Sequence, residues 1–173
     1  MARIRSNTSV VCDAGPIIHL DELGCLHLMR DFEDVMVPDG VRNEVLKYRD
    51  VAFDDGVVRW EFVSREHVVE EPLTTMCKIF SLDSGEVEAL AALTKEPNRI
   101  FLTDDAAARL VAAKLGFRVH GTMGVLIRAI RRGSMRPGEV LEVLNSIPSK
   151  SSLHVKPSLL QEVFSIVRRE SNQ

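Results

Sequence analysis

The chain has 173 residues, of which 45% are hydrophobic and 27% charged, with a net charge of −3. That is enough chain for one domain with a sizeable core, and the negative total excludes a generally basic nucleic-acid binder. No stretch approaches the roughly 20 apolar residues of a membrane span. The polar start at residues 1–8 leads into no signal-peptide core, because Asp13 interrupts the apolar run. Cys12, Cys25 and Cys77 form no CxxC pair and no zinc spacing with histidine. They read as buried reduced thiols, as expected of a cytoplasmic protein.

In chain order, residues 9–12 read as an apolar strand that stops at Asp13. Asp13-Ala14-Gly15-Pro16 then opens a helix, with proline in the first turn, where its missing N–H costs nothing. Ile17, Leu20, Leu23 and Leu28 are its expected apolar stripe. A short strand at 34–37 reaches Pro38, and a helix is predicted over 39–48. Residues 51–55 read as a loop with a turn at Asp55-Gly56, and 57–63 as an edge strand.

Helices are predicted over 71–80 and 86–95, separated by a loop at 81–85. A strand at 99–103 runs into Asp104-Asp105, and the helix at 106–115 stops at Gly116. A last strand at 117–120 precedes a helix ending near Gly133, with further helices at 137–145 and 157–169. Residues 149–152 are the most linker-like stretch. The final helix carries an apolar face through Leu159, Leu160, Val163, Phe164 and Val167. One domain over 1–173 is expected, with the helices from about 134 packed on its body. Strands alternating with helices predict an α/β fold: a three-layer α/β/α sandwich around a mostly parallel sheet.

Two of these strands end in acid, at Asp13 and at Asp104-Asp105. The carboxyl ends of the strands are where ligands bind in an open α/β sheet. Carboxylates gathered there repel one another unless a cation intervenes, and oxygen donors suit a hard ion such as Mg²⁺ or Mn²⁺. Glu44 lies early in the second helix and Glu86 opens the helix after Gly85, at boundaries that could turn both toward the same end. Each acid also has an architectural reading. Asp13 and Asp104 or Asp105 could cap helices, Asp83 with Glu86 has the spacing of a capping box, and Glu44 could be a solvated face residue. Glu88, two positions from Glu86, faces another side of its helix and is the weaker ligand.

Charge is unevenly spread. Residues 106–138 contain no acid and carry +7, which leaves −10 on the rest. Arg109, Lys114, Arg118, Arg128, Arg131 and Arg132 are therefore candidates to meet a polyanion, against the alternative of solvated helix faces.

Five segments, in this order, carry a resemblance. They are Val11-Cys12-Asp13-Ala14-Gly15-Pro16-Ile17-Ile18, Val37-Pro38-Asp39-Gly40-Val41-Arg42-Asn43-Glu44-Val45, and Leu82-Asp83-Ser84-Gly85-Glu86-Val87-Glu88-Ala89-Leu90. Phe101-Leu102-Thr103-Asp104-Asp105 and Gly116-Phe117-Arg118-Val119-His120-Gly121-Thr122-Met123-Gly124-Val125-Leu126 complete the set. The chain resembles the PIN domain, a metal-dependent nuclease fold, in its VapC-like branch. The resemblance implies Asp13, Glu44, Glu86 and Asp104 as the catalytic acids holding Mg²⁺ or Mn²⁺; Asp105, the weaker of its pair if it caps the helix, could contact a metal through water. It implies hydrolysis of RNA phosphodiester bonds, a small antitoxin partner and a homodimer. Two departures stand out: the third acid is commonly Asp and is Glu86 here, and Ala14-Gly15 replaces a common hydroxyl residue. The alternative from another class is a catalytically silent PIN-like module that binds RNA or a protein.

Overall fold

A computed structural model describes residues 8–54, 56–64 and 70–170. Five strands form one parallel sheet: β1 (Val10–Cys12), β2 (Val35–Pro38), β3 (Trp60–Val63), β4 (Ile100–Leu102) and β5 (Val119–His120), ordered β3-β2-β1-β4-β5. The helices are α1 (Ala14–Glu22), α2 (Asp39–Tyr48), α3 (Leu73–Ile79), α4 (Ser84–Lys95), α5 (Ala106–Lys114), α6 (Thr122–Arg131), α7 (Pro137–Lys150) and α8 (Pro157–Glu170). A 3-10 helix, Leu26–Asp31, follows α1. The result is a three-layer α/β/α sandwich.

β1 lies at the centre, paired with β2 on one side and β4 on the other. All residues of β1, β2 and β4 are buried, as continuous apolar runs in a parallel sheet covered on both faces must be. The chain reverses direction of travel across the sheet at β1, so the crevice beside β1 and β4 at their carboxyl ends is the topological switch point. α4 packs on β1, β2 and β4 and touches α2 and α5. α6 packs on α1 and the 3-10 helix, and α7 and α8 pack on α6 and on each other. Val140, Leu144, Ile147, Val163 and Val167 are buried, so the C-terminal helices join the core by their apolar faces. The three cysteines are buried and free.

Several boundaries differ from expectation. α1 ends one residue before Leu23, because Gly24 takes a φ of +67°, which glycine adopts without a Cβ penalty. Leu28 is buried from the 3-10 helix instead of from α1. The edge strand is four residues long and excludes Val57 and Val58. α7 runs on to Lys150 through Pro148, so the linker is 151–156. The polar start before Thr8 and the turn position Asp55 lie outside the described residues.

Among the described residues, no helix is long and apolar enough to cross a membrane.

Candidate active site

Asp13 leaves β1 in extended conformation and caps α1, its Oδ1 accepting from Ala14 N at 2.8 Å. Its Oδ2 accepts from the Thr103 hydroxyl at 2.9 Å. Thr103, at the end of β4, is fully buried, and its Oγ1 also accepts from Asp105 N at 3.1 Å. One hydroxyl thus ties the two acidic strand ends together. Asp13 is only 5% exposed. Burial, reinforced by the charges of Asp83 and Glu44, lifts its carboxyl from 3.8 to about 6 despite the donors from Thr103 and Ala14.

Asp104 is satisfied differently. Its Oδ1 accepts from Thr122 N at 2.8 Å, and its Oδ2 from Thr122 Oγ1 at 2.6 Å and His19 Nδ1 at 2.8 Å. An ionised carboxylate only accepts, so Nδ1 of His19 carries the proton. Burial acts to raise this carboxyl, but the donors from His19 and Thr122 outweigh it and hold it below its ordinary value. Gly121 offers α6 no side-chain cap, and Asp104 supplies the carboxylate at that positive helix end from across the site. The approach is tight: a Cβ at Gly121 would run into Asp104 Oδ1 and lie 2.8 Å from Arg109 Nη2.

The other acids arrive from α2 and from the starts of α4 and α5. Glu44, on the second turn of α2, is half-buried, and burial followed by the charge of Asp83 raises its carboxyl. Asp83 and Glu86 form the capping box: Asp83 Oδ1 accepts from Glu86 N at 2.8 Å, and Glu86 Oε2 from Asp83 N at 2.9 Å. Glu86 is lifted from 4.5 to about 7 by burial and by Asp83, Asp105 and Asp13, against one lowering bond from Asp83. Asp105 caps α5 through Ala108 N at 2.8 Å. Glu88 reaches away from the site and accepts from Gly40 N at 2.7 Å, giving α2 a cap that Pro38 does not supply.

Asp13, Glu44, Asp83, Glu86, Asp104 and Asp105 line one open cleft of about 280 Å³. Among the described residues, no Lys or Arg lines it. His19 and the segment Ser152-Leu153-His154 complete its wall. That segment lies in the α7–α8 linker and is pinned by Glu22, which accepts from Ser151 Oγ at 2.8 Å and from Ser152 N at 2.7 Å. Among the described residues, no three Asp, Glu, His or Cys side chains are drawn together into a ready-made metal site. Capping and strand-end bonds hold Asp13, Asp83, Glu86, Asp104 and Asp105 around the cleft, each turned toward its own donor, and Glu44 joins them from α2.

All five acids expected from the sequence therefore line one cleft. Sequence reading missed His19, Thr103, Thr122 and His154 as its neighbours. Thr103 and Thr122 carried a signal, since each stands beside an acid or glycine at a strand-to-helix boundary. His154 carried none, because its place depends on how α7 and α8 fold back.

The six basic residues do not share one face. Arg109 donates to Thr103 O at 2.9 Å and stands beside the acids. Lys114 ends α5, which must return to the amino end of the sheet for β5 to run parallel to β4. Arg118 is also there, donating to Asn98 O at 2.8 Å. Arg128, Arg131 and Arg132 line a separate cavity beside α6. Chain connectivity made the window look continuous, whereas the βαβ path sends its charges to three places.

A family model for the PIN domain matches residues 9–169. The chain belongs to the PIN domain family, a nuclease fold whose members generally act on nucleic acid with divalent metals. No curated protein and no solved structure matches the chain.

Proposed function

We propose that this chain is a metal-dependent ribonuclease that hydrolyses RNA phosphodiester bonds, with Asp13, Glu44, Glu86 and Asp104 as its acidic set. The observation that carries the reading is the cleft at the switch point, where six carboxylates gather with no Lys or Arg among the described residues of its lining. Burial and mutual repulsion raise Asp13, Glu44 and Glu86, so a cation entering among them relieves a cost the fold otherwise bears. The donors are all oxygen, which fits Mg²⁺ or Mn²⁺. Such an ion supplies Lewis-acid polarisation of a phosphate and an activated water.

The protein's own part is positioning. Thr103 holds Asp13 against the β4 end, while His19 and Thr122 fix Asp104 and keep it ionised. Asp105, exposed at the rim, would meet the metal through water. Arg109, beside the acids, would meet a backbone phosphate, and Arg128, Arg131 and Arg132 would meet RNA along α6. Lys114 and Arg118 would act only on chain that wraps to the amino end. With one Trp and one Tyr in the chain, charge and shape should dominate recognition, and affinity should fall with salt.

The restriction to RNA, and the extension to a toxin with a small antitoxin partner, a homodimeric state and a cytoplasmic site of action, rest on the VapC-like resemblance. A small adjacent reading frame encoding a DNA-binding protein would support the pairing.

One observation favours a second reading, a silent RNA-binding module. Asp104 already accepts three hydrogen bonds, two of them at Oδ2. A cleavage assay on mixed RNAs with Mg²⁺, Mn²⁺ or chelator decides between the two. The nuclease reading expects cleavage at millimolar metal and a loss of at least about 100-fold in Asp13→Asn, the scale of a removed charge-stabilising group. RNA binding without cleavage under any metal selects the silent module.

A further inference from the structure

The cavity beside α6 is distinct from the acidic cleft. Thr122 at the start of α6 bonds Asp104, while the later turns of the same helix line the cavity. The cavity holds about 330 Å³, at the lower end of the range for small-ligand sites. Its floor is apolar, made by Phe32, Ile100, Leu102, Val125, Ile127 and Ile166. Its polar rim is His120, Arg128, Arg131 and Arg132.

Two features narrow the occupant. The first is charge. Arg131 is matched by Glu170 at 3.1 Å and Asp31 is the acid felt by Arg128, and three guanidinium groups gather at this one rim. Burial and then Arg132 lower the proton affinity of Arg128, and burial and then Arg109, Arg118 and Arg128 lower that of His120. An anion would relieve both. The second is shape. The Arg128 guanidinium lies over the Phe32 ring at 4.9 Å, a cation–π pair, and bases stack on aromatic rings and Arg guanidinium groups where an acyl tail does not. Guanidinium groups also match phosphate oxygens in a forked geometry.

We propose that this cavity binds one phosphorylated nucleoside unit, its base on the apolar floor beside the Phe32–Arg128 stack and its phosphate at Arg131 and Arg132. The choice of a nucleotide over other flat anions rests on the nuclease reading. The unit can come from a free mononucleotide or from one nucleotide of an RNA chain, and the same chemistry serves both.

The test is calorimetric titration of the full chain in chelator, so that the acidic cleft takes no part. The titrants are AMP, UMP, adenosine, inorganic phosphate and octanoate. The expected result is one nucleotide per chain, with adenosine and phosphate each at least about tenfold weaker than AMP, the scale of one charge-assisted bond. Arg131→Gln with Arg132→Gln should weaken AMP by about tenfold or more and leave adenosine nearly unchanged. Ile127→Trp, which fills the cavity without changing charge, should abolish binding of both. If that variant fails to fold, the arginine pair decides alone. No nucleotide binding, nucleotide binding unchanged in the arginine pair, or octanoate binding as tightly as AMP overturns the proposal.

A short RNA titrated in parallel assigns the source. Affinity lost with Ile127→Trp places a substrate nucleotide in the cavity, whereas RNA affinity kept while AMP binding is lost places a free nucleotide there. A chain that binds AMP but never cleaves RNA defeats the nuclease reading alone. A chain that cleaves RNA but binds no nucleotide here defeats this proposal alone.

Discussion

The two ends of the one sheet hold their acids in opposite ways. At the amino end, Asp34, Glu61 and Glu96 converge on Arg99, which is 9% exposed. Its Nη2 meets Glu61 at 2.8 Å, its Nε meets Glu96 at 2.8 Å, and its Nη1 reaches Asp34 and the Val10 carbonyl. Burial works against the Arg99 charge, yet its bonds to Glu96 and Asp34 raise its proton affinity overall. At the carboxyl end, six carboxylates line a cleft with no Lys or Arg among its described residues. The first set is closed upon itself. The second is eased by capping bonds, by the hydroxyls of Thr103 and Thr122 and the ring of His19, and by lifting Asp13, Glu44 and Glu86. The acids at the amino end share one buried guanidinium, whereas those of the cleft are held apart on separate donors.

Breaking the closed end should cost most. Arg99→Met leaves three carboxylates facing one another and should lower stability by about 3–5 kcal/mol in chemical denaturation, as expected for a partly buried ion network stripped of one side. The metal response of the far end should persist in that variant.

The open end should show itself through pH in chelator. Asp13 titrates at about 6 when folded against 3.8, and Glu86 at about 7 against 4.5. Both are raised, so the folded state favours their protonated forms. The stability this gives is complete below pH about 4 and is lost as pH climbs to about 7. Asp13 alone should account for about 3 kcal/mol of the fall. Asp104 and Glu22 are lowered instead, so their share appears above the ordinary carboxylate range and is lost only on stronger acidification. A thermal scan from pH 4.5 to 8 should slope downward in the wild type and flatten in Asp13→Asn. An upward slope would contradict the lifted carboxyls.

Much of this contrast was legible in the sequence. An apolar run ending in acid gave Asp13 and Asp104, because a buried parallel strand tolerates no charge until it leaves the sheet. The capping-box spacing of Asp83 and Glu86, the architectural reading of Glu86, was legible too and is formed. What was not legible depends on tertiary closeness. Glu88 reads as a helix-face acid, yet it caps α2 from 48 positions away. Arg99 reads as the first residue of a strand, yet besides Glu96 in its own turn it gathers Asp34 and Glu61 from distant segments. The basic window looked like one patch until the path of α5 and β5 divided it. The loop carrying His154 took its place only through α7 and α8.

Two smaller effects sharpen the site itself. Gly121→Ala puts a Cβ where Asp104 Oδ1 lies and within 3.0 Å of Thr103 O. It should cost about 1–3 kcal/mol as an overpacked contact and reduce cleavage with it, measured by thermal midpoint and assay. Glu22→Gln weakens the bonds that pin Ser151 and Ser152 beside the cleft. About 1 kcal/mol or less is expected, read as faster amide exchange at 151–154 with no change in the core strands.

The central claim is that the carboxyl-end cleft takes a divalent cation. Calorimetric titration of Mn²⁺ into the full chain at pH 7.5 tests it most directly, with Asp13→Asn and Arg99→Met alongside. The account predicts saturable binding that Asp13→Asn weakens by at least about tenfold and Arg99→Met leaves in place. No saturable binding, or binding that Asp13→Asn leaves unchanged, would contradict it.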